Sequence, residues 1–354
     1  MMLEKLMAAP DALHACLSVA GRDLSVRRLQ HEGEGGVDFL DLHHAVFSTD
    51  VNRSWLDWKY GKEVTQGHGL GSGLWDGDAL IAHCGGVPRT LIWEDKSISG
   101  LQIGDVMVRA DWRGVMVRKG PFYHVSSHFY RNAVGGNATY AVGYGFPNAR
   151  HLKLAVSTGL LLDGGSVQAP CWDVRTHGLS KHWHCVWRMR EQTDVVRKSV
   201  EVTESAWHAM RKDIARLSVV CGARTANYLL WRYLAPPHAD RYHFFALEKH
   251  WGRVPLGWVV LDLSNPGIAV WLDWIGPLKY MPAAWQGVMN VAKKLGKWEL
   301  NLWATLPVMD AISAPKPRAV TETARLGIVN GSLHDVRKTD GCNWWLMGGD
   351  TDFL

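Results

Sequence analysis

Apolar residues recur at helical spacing in several segments of the chain. In 121–132, Phe122, Val125 and Phe129 fall on one face behind Pro121, and proline is favoured in the first turn of a helix. The segment 282–295 has the same arrangement, with apolar residues on one face and a glycine after the last turn. Both segments are therefore predicted to be amphipathic helices.

A shorter helix is predicted over 148–158, within the stretch GYGFPNARHLKLAVSTGL. Asn148 is placed to cap the first turn, and Leu152 and Ala155 share one face. Gly159 follows the last turn, where a left-handed residue commonly ends a helix. The pattern thus predicts a helix with a defined beginning and end.

The pattern of apolar and polar positions repeats after about 170 residues. WLDWKY at 55–60 corresponds to YLLWRY at 228–233, and a β-branched strand containing Asp105 corresponds to a strand containing Asp273. Gly159 in the first half is matched with a glycine near the end of the second half, Gly327. Two similar domains in tandem are therefore expected.

Each repeat also contains an apolar segment interrupted by glycine, at 79–93 and at 253–264. Each is predicted to be a hairpin-like pair of strands. The alternation of helices and strands indicates an α/β or α+β layered arrangement. The expected division is a first domain at 1–175, a connecting segment or shared strands at 176–205, and a second domain at 206–354.

Composition narrows the possible functions. The 354 residues are 47% hydrophobic and 21% charged, as in ordinary globular proteins, and no window resembles a membrane span or a signal peptide. The net charge of +5 is mild and spread along the chain, which argues against a nucleic-acid partner and fits small anionic ligands. The six cysteines form no C-x-x-C pair. A cytoplasmic protein without a membrane partner is expected, while its oligomeric state stays open.

The stretch GDVMVRADWRGVMVRKGPFYHVSSHFY at 104–130 carries the strongest chemical signal. A strand runs into a loop with arginine, lysine and glycine residues, and the helix predicted from Pro121 follows. The N-terminus of a helix presents unpaired backbone N–H groups and a favourable dipole to an anion, and cationic side chains strengthen such a site. The loop is therefore predicted to bind phosphate groups.

The strand, the V-x-x-x-x-R-G loop, the following helix and the Asn-led helix after ATYAVGY together resemble the GCN5-related N-acetyltransferase (GNAT) superfamily. The tandem layout resembles bacterial proteins with two fused domains of this kind. The resemblance implies an α/β (α+β layered) fold of two tandem acetyltransferase-like domains, each with a mixed, mostly antiparallel sheet flanked by helices. The resemblance implies that the loop cradles the pyrophosphate of acyl-coenzyme A and that the pantetheine arm enters between two splayed strands. The residues it assigns to cofactor binding are Val106, Met107, Val108, Arg113, Gly114, Val115, Met116, Val117, Arg118, Lys119, Gly120 and Asn148.

The chain departs from the family pattern in three places. Met116 and Arg118 stand where the family loop has small residues, and Ala155 stands where many members have a tyrosine that protonates the leaving thiolate. In the second half the loop is missing, and Lys316 takes the place corresponding to Asn148. One active site, in the first domain, is therefore expected, with acetyl-CoA or another acyl-CoA as co-substrate.

Amine acylation needs a group that accepts the proton of the amine and a group that stabilises the departing thiolate. Asp105, on the strand beside the expected thioester, is the first candidate base. His151, one turn into the Asn-led helix, and Tyr144, just before it, are further candidates for proton transfer. His83 and Cys84, in the predicted hairpin at 79–93, rank lower because the direction of their side chains is open. Cys84 also has no activating partner visible in the sequence that would make it an acyl-carrying nucleophile.

The leading hypothesis is transfer of an acetyl group from acetyl-CoA to a primary amine of a small molecule. Its acceptor is open, and an amino sugar is considered because the chain has 19 tryptophans, which stack on sugar faces. The candidates for such stacking are Trp271, Trp274, Trp344 and Trp345. Two other readings remain: an aminoacyl-tRNA-dependent peptidyl transferase of similar two-domain fold, and a non-catalytic CoA- or ligand-binding module.

A metal site is not expected. In HWHC, His182 and His184 would share one face of a strand, but no third and fourth ligand stands at a recognisable spacing. The C-terminal WWLMGGDTD is predicted to form a final strand with its tryptophans packed inward, and Asp350 or Asp352 is considered for the acceptor pocket.

Overall fold

A computed structural model describes residues 14–49, 51–65, 71–113, 119–135, 138–178, 181–252, 254–329 and 343–351. Two compact units interleave along the chain. Unit 1 comprises Met1–Arg89, Ser99–Gly164 and Leu326–Lys338, and unit 2 comprises Thr90–Ile98, Gly165–Arg325 and Thr339–Leu354. The units thus exchange segments, whereas the domains expected from the sequence follow one another along the chain.

Unit 1 is a sheet flanked by helices. Its strands are β1 (His14–Val19), β2 (Arg22–Leu29), β3 (Gly71–Asp76), β4 (Ala79–Trp93), β5 (Lys96–Val108), β6 (Val142–Gly145) and the end of β14 (Ala319–Val329). They lie in that order in the sheet. Strands β1 to β4 pair antiparallel, β5 and β6 pair parallel, and β14 pairs antiparallel with β6.

The helices of unit 1 are α1 (Gly33–Phe47), α2 (Arg53–Tyr60), α3 (Lys62–Thr65), α4 (Pro121–Ala133) and α5 (Ala149–Ser157). Helices α4 and α5 confirm two of the sequence predictions. In α4, Val125 and Phe129 are buried as the helical spacing requires. At the end of α5, Gly159 has φ 74°, the left-handed conformation expected of a residue that ends a helix.

Unit 2 repeats the layered arrangement. Its strands are β7 (Leu161–Asp173), β8 (Trp187–Glu191), β9 (Val220–Gly222), β10 (Tyr242–Lys249), β11 (Gly257–Asp262), β12 (Ile268–Ile275), β13 (Glu299–Leu302) and β15 (Trp344–Trp345). The sheet order is β7-β13-β12-β11-β10-β8. Within it, β12 and β13 are parallel and the other neighbouring strands are antiparallel. Strand β15 pairs parallel with β9.

The helices of unit 2 are α6 (Lys181–Val186), α7 (Thr193–Lys198), α8 (Glu204–Leu217), α9 (Ala226–Leu229), α10 (Met281–Lys294) and α11 (Leu306–Ile312). Helix α9 continues into a π-helical turn, Leu230–Leu234. Helix α10 confirms the helix predicted over 282–295, and its apolar face packs into the unit 2 core. None of the helices in the described ranges combines the length and apolar character that a bilayer crossing requires.

The two predicted hairpins are wrong, because each segment contains a single strand. Strand β4 runs through Gly85 and Gly86, and β11 begins at Gly257. A Cβ added at Gly86 would lie 2.8 Å from Leu101 of the neighbouring strand. A Cβ at Gly257 would lie 2.2 Å from the ring of Trp274. Glycine stands at these two positions because a neighbouring side chain needs the space.

Three further expectations are also corrected. The HWHC segment is helical, so His182 and His184 do not share a strand face. Gly327 lies within β14 and pairs with Gly145, so it does not end a helix as Gly159 does. The four tryptophans considered for sugar stacking are at most 1% exposed and pack in the interior, where no sugar can reach them. They are Trp271, Trp274, Trp344 and Trp345.

Candidate functional site

Strands β5 and β6 of unit 1 diverge partway along their length. Their parallel pairing runs from Gly100 opposite Val142 to Ile103 opposite Gly145. Strand β6 ends there, whereas β5 continues for five more residues, to Val108. Among the described residues, no strand pairs with the β6 side of β5 beyond Ile103. The space beside this unpaired edge is called the cleft below.

A bulge at Asp105 changes the direction of the backbone groups along β5. Before it, the Ser99 carbonyl accepts a hydrogen bond from Ala141 N (2.9 Å), on the β6 side. After it, Arg109 N donates to the Ile81 carbonyl of β4 (2.9 Å). Because peptide groups alternate sides along a strand, odd-numbered residues should face one side throughout. The backbone groups of Ser99 and Arg109, both odd-numbered, instead face opposite sides of β5. Asp105, with φ 48°, lies between these two residues and marks the bulge.

The bulge presents Val106 and Val108 to the cleft. Counting back from Arg109, the N–H and C=O groups of these two residues face away from β4. The Val108 carbonyl bears this out, since it accepts a hydrogen bond from Arg113 Nε (2.7 Å). The backbone of Met107 points to the other side, and its side chain is fully buried. Of the three strand residues assigned to the cofactor, two thus have backbone groups at the cleft edge.

The Asp105 side chain is held by two donors from α2. Tyr60 Oη donates to Asp105 Oδ2 (2.6 Å), and Lys59 Nζ lies 2.9 Å from the same oxygen. Burial raises the pKa of Asp105, but the charge of Lys59 and the hydrogen bonds from both residues outweigh it and lower the pKa overall. An ion-paired carboxylate with a lowered pKa is a weak proton acceptor, so this geometry does not favour Asp105 as the base.

Two buried histidines extend this network. His83 Nδ1 lies 2.7 Å from the Asp105 carbonyl, and His83 Nε2 lies 3.2 Å from His31 Nε2. A carbonyl only accepts, so His83 donates from Nδ1 and its Nε2 accepts the proton of His31. Burial lowers the pKa of His83 to about 4, and burial together with the charge of His83 lowers that of His31. Both rings are therefore neutral near pH 7.

The predicted anion-binding loop is described at its two ends, while Gly114, Val115, Met116, Val117 and Arg118 lie outside the described residues. At one end Arg113 is exposed and held to the strand by its Nε. At the other end Gly120 is the N-cap of α4, and Lys119 Nζ lies 4.9 Å above the Tyr123 ring of its first turn. Cationic side chains therefore lie at both loop ends, and one is beside a helix N-terminus.

The Asn-led helix has the predicted cap. Asn148 Oδ1 accepts a hydrogen bond from His151 N (2.9 Å), and the side chain is otherwise exposed to solvent. The His151 ring stacks on Phe122 of α4 at 6.5 Å. Burial, followed by the charges of Arg150 and Arg113, lowers the pKa of His151. A neutral, accessible imidazole close to the loop is thus available as a proton acceptor.

The other candidates for chemistry are buried. Tyr144 is fully buried on β6, with its ring edge-on to Phe146. Ala155, at the position of the family's tyrosine, is also fully buried. Burial raises the pKa of the Cys84 thiol to about 12, which removes it as a nucleophile at physiological pH. Within the described ranges, no group of three or more metal-ligating side chains comes together.

Unit 2 contains the counterpart of the Asp105 network. The parallel pairing of β12 and β13 ends at Trp271 opposite Leu302, and Asp273 follows two residues later, as Asp105 follows Ile103. Tyr233 Oη donates to Asp273 Oδ2 (3.0 Å). The sequence repeat that aligned WLDWKY with YLLWRY therefore corresponds to a shared contact between a helix tyrosine and a strand aspartate.

In unit 2 the C-terminal segment 343–351 fills the space between the diverging strands. Met347 forms a β-bridge with Ala304, just beyond β13. The Gly349 carbonyl accepts hydrogen bonds from Tyr228 Oη (3.1 Å) and Arg232 Nε (3.0 Å). The described residues of unit 1 include no counterpart of this segment.

A buried ion-pair network fixes that segment. Arg224 lies between two carboxylates, with Nε 3.1 Å from Asp273 Oδ1 and Nη2 2.5 Å from Asp350 Oδ2. All three side chains are fully buried. Asp350, considered for an acceptor pocket, is therefore a structural anion, while Asp352 lies outside the described residues.

Sequence reasoning missed the partners of Asp105. Lys59 and Tyr60 stand in the repeated WLDWKY motif, and the repeat itself was the signal that they contact the matched aspartate. His83 was considered only as a low-ranking candidate for the chemistry, and its contact with the Asp105 carbonyl was not predicted. His31 carried no signal, because its position beside His83 depends on the pairing of strands that are distant in sequence.

The scan against protein-family models and the search of curated proteins gave no match. Solved structures match most of the chain. GCN5-related N-acetyltransferases from Kribbella flavida and Anabaena variabilis ATCC 29413 superpose with TM-scores of 0.60 and 0.61, at 11% and 9% identity. Each match covers 86% of this chain, and 70% and 72% of the respective structures.

Another match is N-myristoyltransferase from Saccharomyces cerevisiae, solved with bound myristoyl-CoA. It has a TM-score of 0.51 at 9% identity and covers 91% of this chain and 82% of that structure. Identities this low establish the fold alone. The chain has the GNAT fold, with mixed and mostly antiparallel sheet flanked by helices, as the sequence resemblance implied.

Proposed function

We propose that this GNAT-fold chain is an acyl-CoA-dependent N-acyltransferase, most simply one that transfers an acetyl group to a primary amine of a small molecule. The observation that carries the proposal is the cleft in unit 1, where the bulged end of β5 offers backbone N–H groups opposite no paired strand. Hydrogen-bond donors fixed at such a position can polarise a carbonyl as negative charge develops on it.

The residues around the cleft fit an acyl-CoA. Arg113 and Lys119 supply positive charge at the two loop ends, and the first turn of α4 supplies backbone N–H groups for a phosphate. Asn148 has amide hydrogens available besides its capping oxygen. Bound acyl-CoA would supply the thioester that the amine attacks.

The chain's own residues account for the remaining requirements. The N–H groups of Val106 and Val108 would hold the thioester carbonyl. His151 is the best-placed proton acceptor of the three candidates, since it is neutral and exposed, whereas Asp105 is ion-paired and Tyr144 is fully buried. Unit 2 would bind no acyl-CoA because segment 343–351 fills the equivalent space.

Thermal unfolding with and without acetyl-CoA tests the proposal. A ligand that binds only the folded state stabilises it by about 2.7 kcal/mol at a concentration 100 times its Kd. The midpoint should rise for the wild type and for Arg131→Ala, at the far end of α4, about 15 Å from Gly120. It should not rise for Arg113→Ala. No rise for the wild type at millimolar acetyl-CoA would refute the proposal.

Release of free thiol from acetyl-CoA across a panel of primary amines then tests the reaction. Turnover that falls in His151→Asn without loss of the thermal shift would support His151 as the proton acceptor. A thermal shift without thiol release from any amine would instead favour a non-catalytic binding module.

A further inference from the structure

Asp105 adopts a backbone conformation that is unusual within a β-strand. Its φ of 48° is left-handed, a conformation that is unfavourable for a non-glycine residue because the Cβ approaches the following carbonyl oxygen. Among the described residues, the other non-glycine residues with positive φ lie in turns or at helix ends, and Asp105 alone lies within a strand. Surrounding contacts must therefore hold the bulge in place.

Contacts from two elements meet at this one residue. Helix α2 holds the carboxylate through Tyr60 (2.6 Å) and Lys59 (2.9 Å), and β4 holds the carbonyl through His83 Nδ1 (2.7 Å). The His31 ring stacks on Tyr60 at 4.0 Å, which restrains the tyrosine. Side chain and main chain of Asp105 are thus fixed independently.

Unit 2 has a related arrangement at Asp273, the residue that matches Asp105. The Asp273 carboxylate accepts a hydrogen bond from Tyr233 Oη, and the Asp273 carbonyl accepts one from the Trp271 indole N–H (2.8 Å). The pairing of β11 with β12 shifts register by one residue immediately beside Asp273. Both units have a strand irregularity at the matched aspartate and a tyrosine on its carboxylate. The carbonyl donor differs, since it is His83 of β4 in unit 1 and Trp271 of β12 itself in unit 2. Unit 2 has its own C-terminal segment where unit 1 has the cleft.

We propose that Tyr60 and His83 are positioning residues for acyl transfer, holding the Asp105 bulge so that the open-edge N–H groups of Val106 and Val108 meet the acyl carbonyl. The inference rests on the proposed function. Neither residue touches the acyl group; each acts through Asp105, Tyr60 on its side chain and His83 on its backbone carbonyl.

The test compares binding of acetyl-CoA and of CoA, which lacks the acyl carbonyl, by isothermal titration calorimetry. A net hydrogen bond is worth about 0.5–1.5 kcal/mol, so the wild type should bind acetyl-CoA about two- to twelvefold more tightly than CoA. In Tyr60→Phe this ratio should fall to about one, while the Kd for CoA stays within about twofold. The carbonyl stretch of acetyl-CoA labelled with ¹³C should shift to lower wavenumber in the wild type and less in the variant.

Two controls separate positioning from general stability. Tyr233→Phe removes the matching tyrosine–aspartate hydrogen bond of unit 2 and should lower the unfolding midpoint comparably, yet leave the binding ratio unchanged. His83→Asn keeps an N–H donor at the position of Nδ1 and should retain the ratio, whereas His83→Leu removes the donor and should lose it.

The outcomes distinguish the two proposals. If the wild type binds neither ligand, the proposed function itself is refuted. If the wild type prefers acetyl-CoA and Tyr60→Phe and His83→Leu keep that preference, the function stands and the positioning role is refuted. If Tyr233→Phe lowers the ratio as much as Tyr60→Phe, the effect is one of stability, and the positioning role is again refuted.

Discussion

The folded state of unit 1 should lose stability as the pH falls, because it buries His83 as a neutral ring. Burial lowers the pKa of His83 from 6.5 to about 4, against a hydrogen bond to the Asp105 carbonyl and the Asp105 charge, which raise it. Below pH 6.5 the unfolded chain takes up a proton that the folded chain does not bind until near pH 4. The contribution of His83 to the free energy of unfolding is therefore fully present above pH 6.5 and is lost progressively towards pH 4.

The size of the effect follows from the pKa difference. Each pKa unit corresponds to about 1.4 kcal/mol, so His83 alone accounts for a loss of about 3 kcal/mol between pH 7.5 and pH 4. His31 and His43, whose pKa values burial also lowers, add to the loss in the same direction. Urea unfolding followed by circular dichroism at several pH values measures the sum.

Comparison with His83→Asn isolates the contribution of His83, since asparagine keeps the donor to Asp105 and does not titrate. The stability of the variant should fall by about 3 kcal/mol less than that of the wild type between pH 7.5 and pH 4. Cys84→Ala, on the same strand, is the matched control. Its thiol stays protonated throughout, so it should lower stability equally at every pH. Equal pH dependence in wild type and His83→Asn would refute the reasoning.

Three further substitutions test the structural assignments. Asn148→Ala should destabilise the chain by about 1 kcal/mol in thermal unfolding, because it removes the cap of α5, and Asn148→Ser should restore most of the loss. Gly159→Ala should cost about 1 kcal/mol in the same measurement because φ is 74° there, and a neutral result would contradict the left-handed assignment. Arg224→Met should lower the urea midpoint by an amount worth about 3–5 kcal/mol, since it leaves Asp273 and Asp350 buried without their cation. A loss below 1 kcal/mol would show that the two aspartates are not held as described.

The sequence predicted the helices correctly, because the features that start, continue and end a helix lie within a few residues of one another. The helices at 121–132, 148–158 and 282–295 were predictable because spacing, capping residues and terminal glycines act within one or two turns. The expected hairpin over 79–93 failed because glycine has two uses. A sequence does not distinguish a glycine that forms a turn from a glycine that leaves space for a neighbouring side chain. Only the packing of Leu101 against Gly86 in the structure shows that the second use applies here.

The sequence by itself determined the repeat and the acid on each matched strand, because these are features of pattern and order. Only the tertiary structure decided what the acids do. Asp105 is an ion-paired anchor of a strand bulge rather than an open carboxylate, since Lys59, Tyr60 and His83 reach it from elements distant in the chain. Burial and pairing set the charge state of a side chain, and both depend on neighbours that a linear pattern does not name.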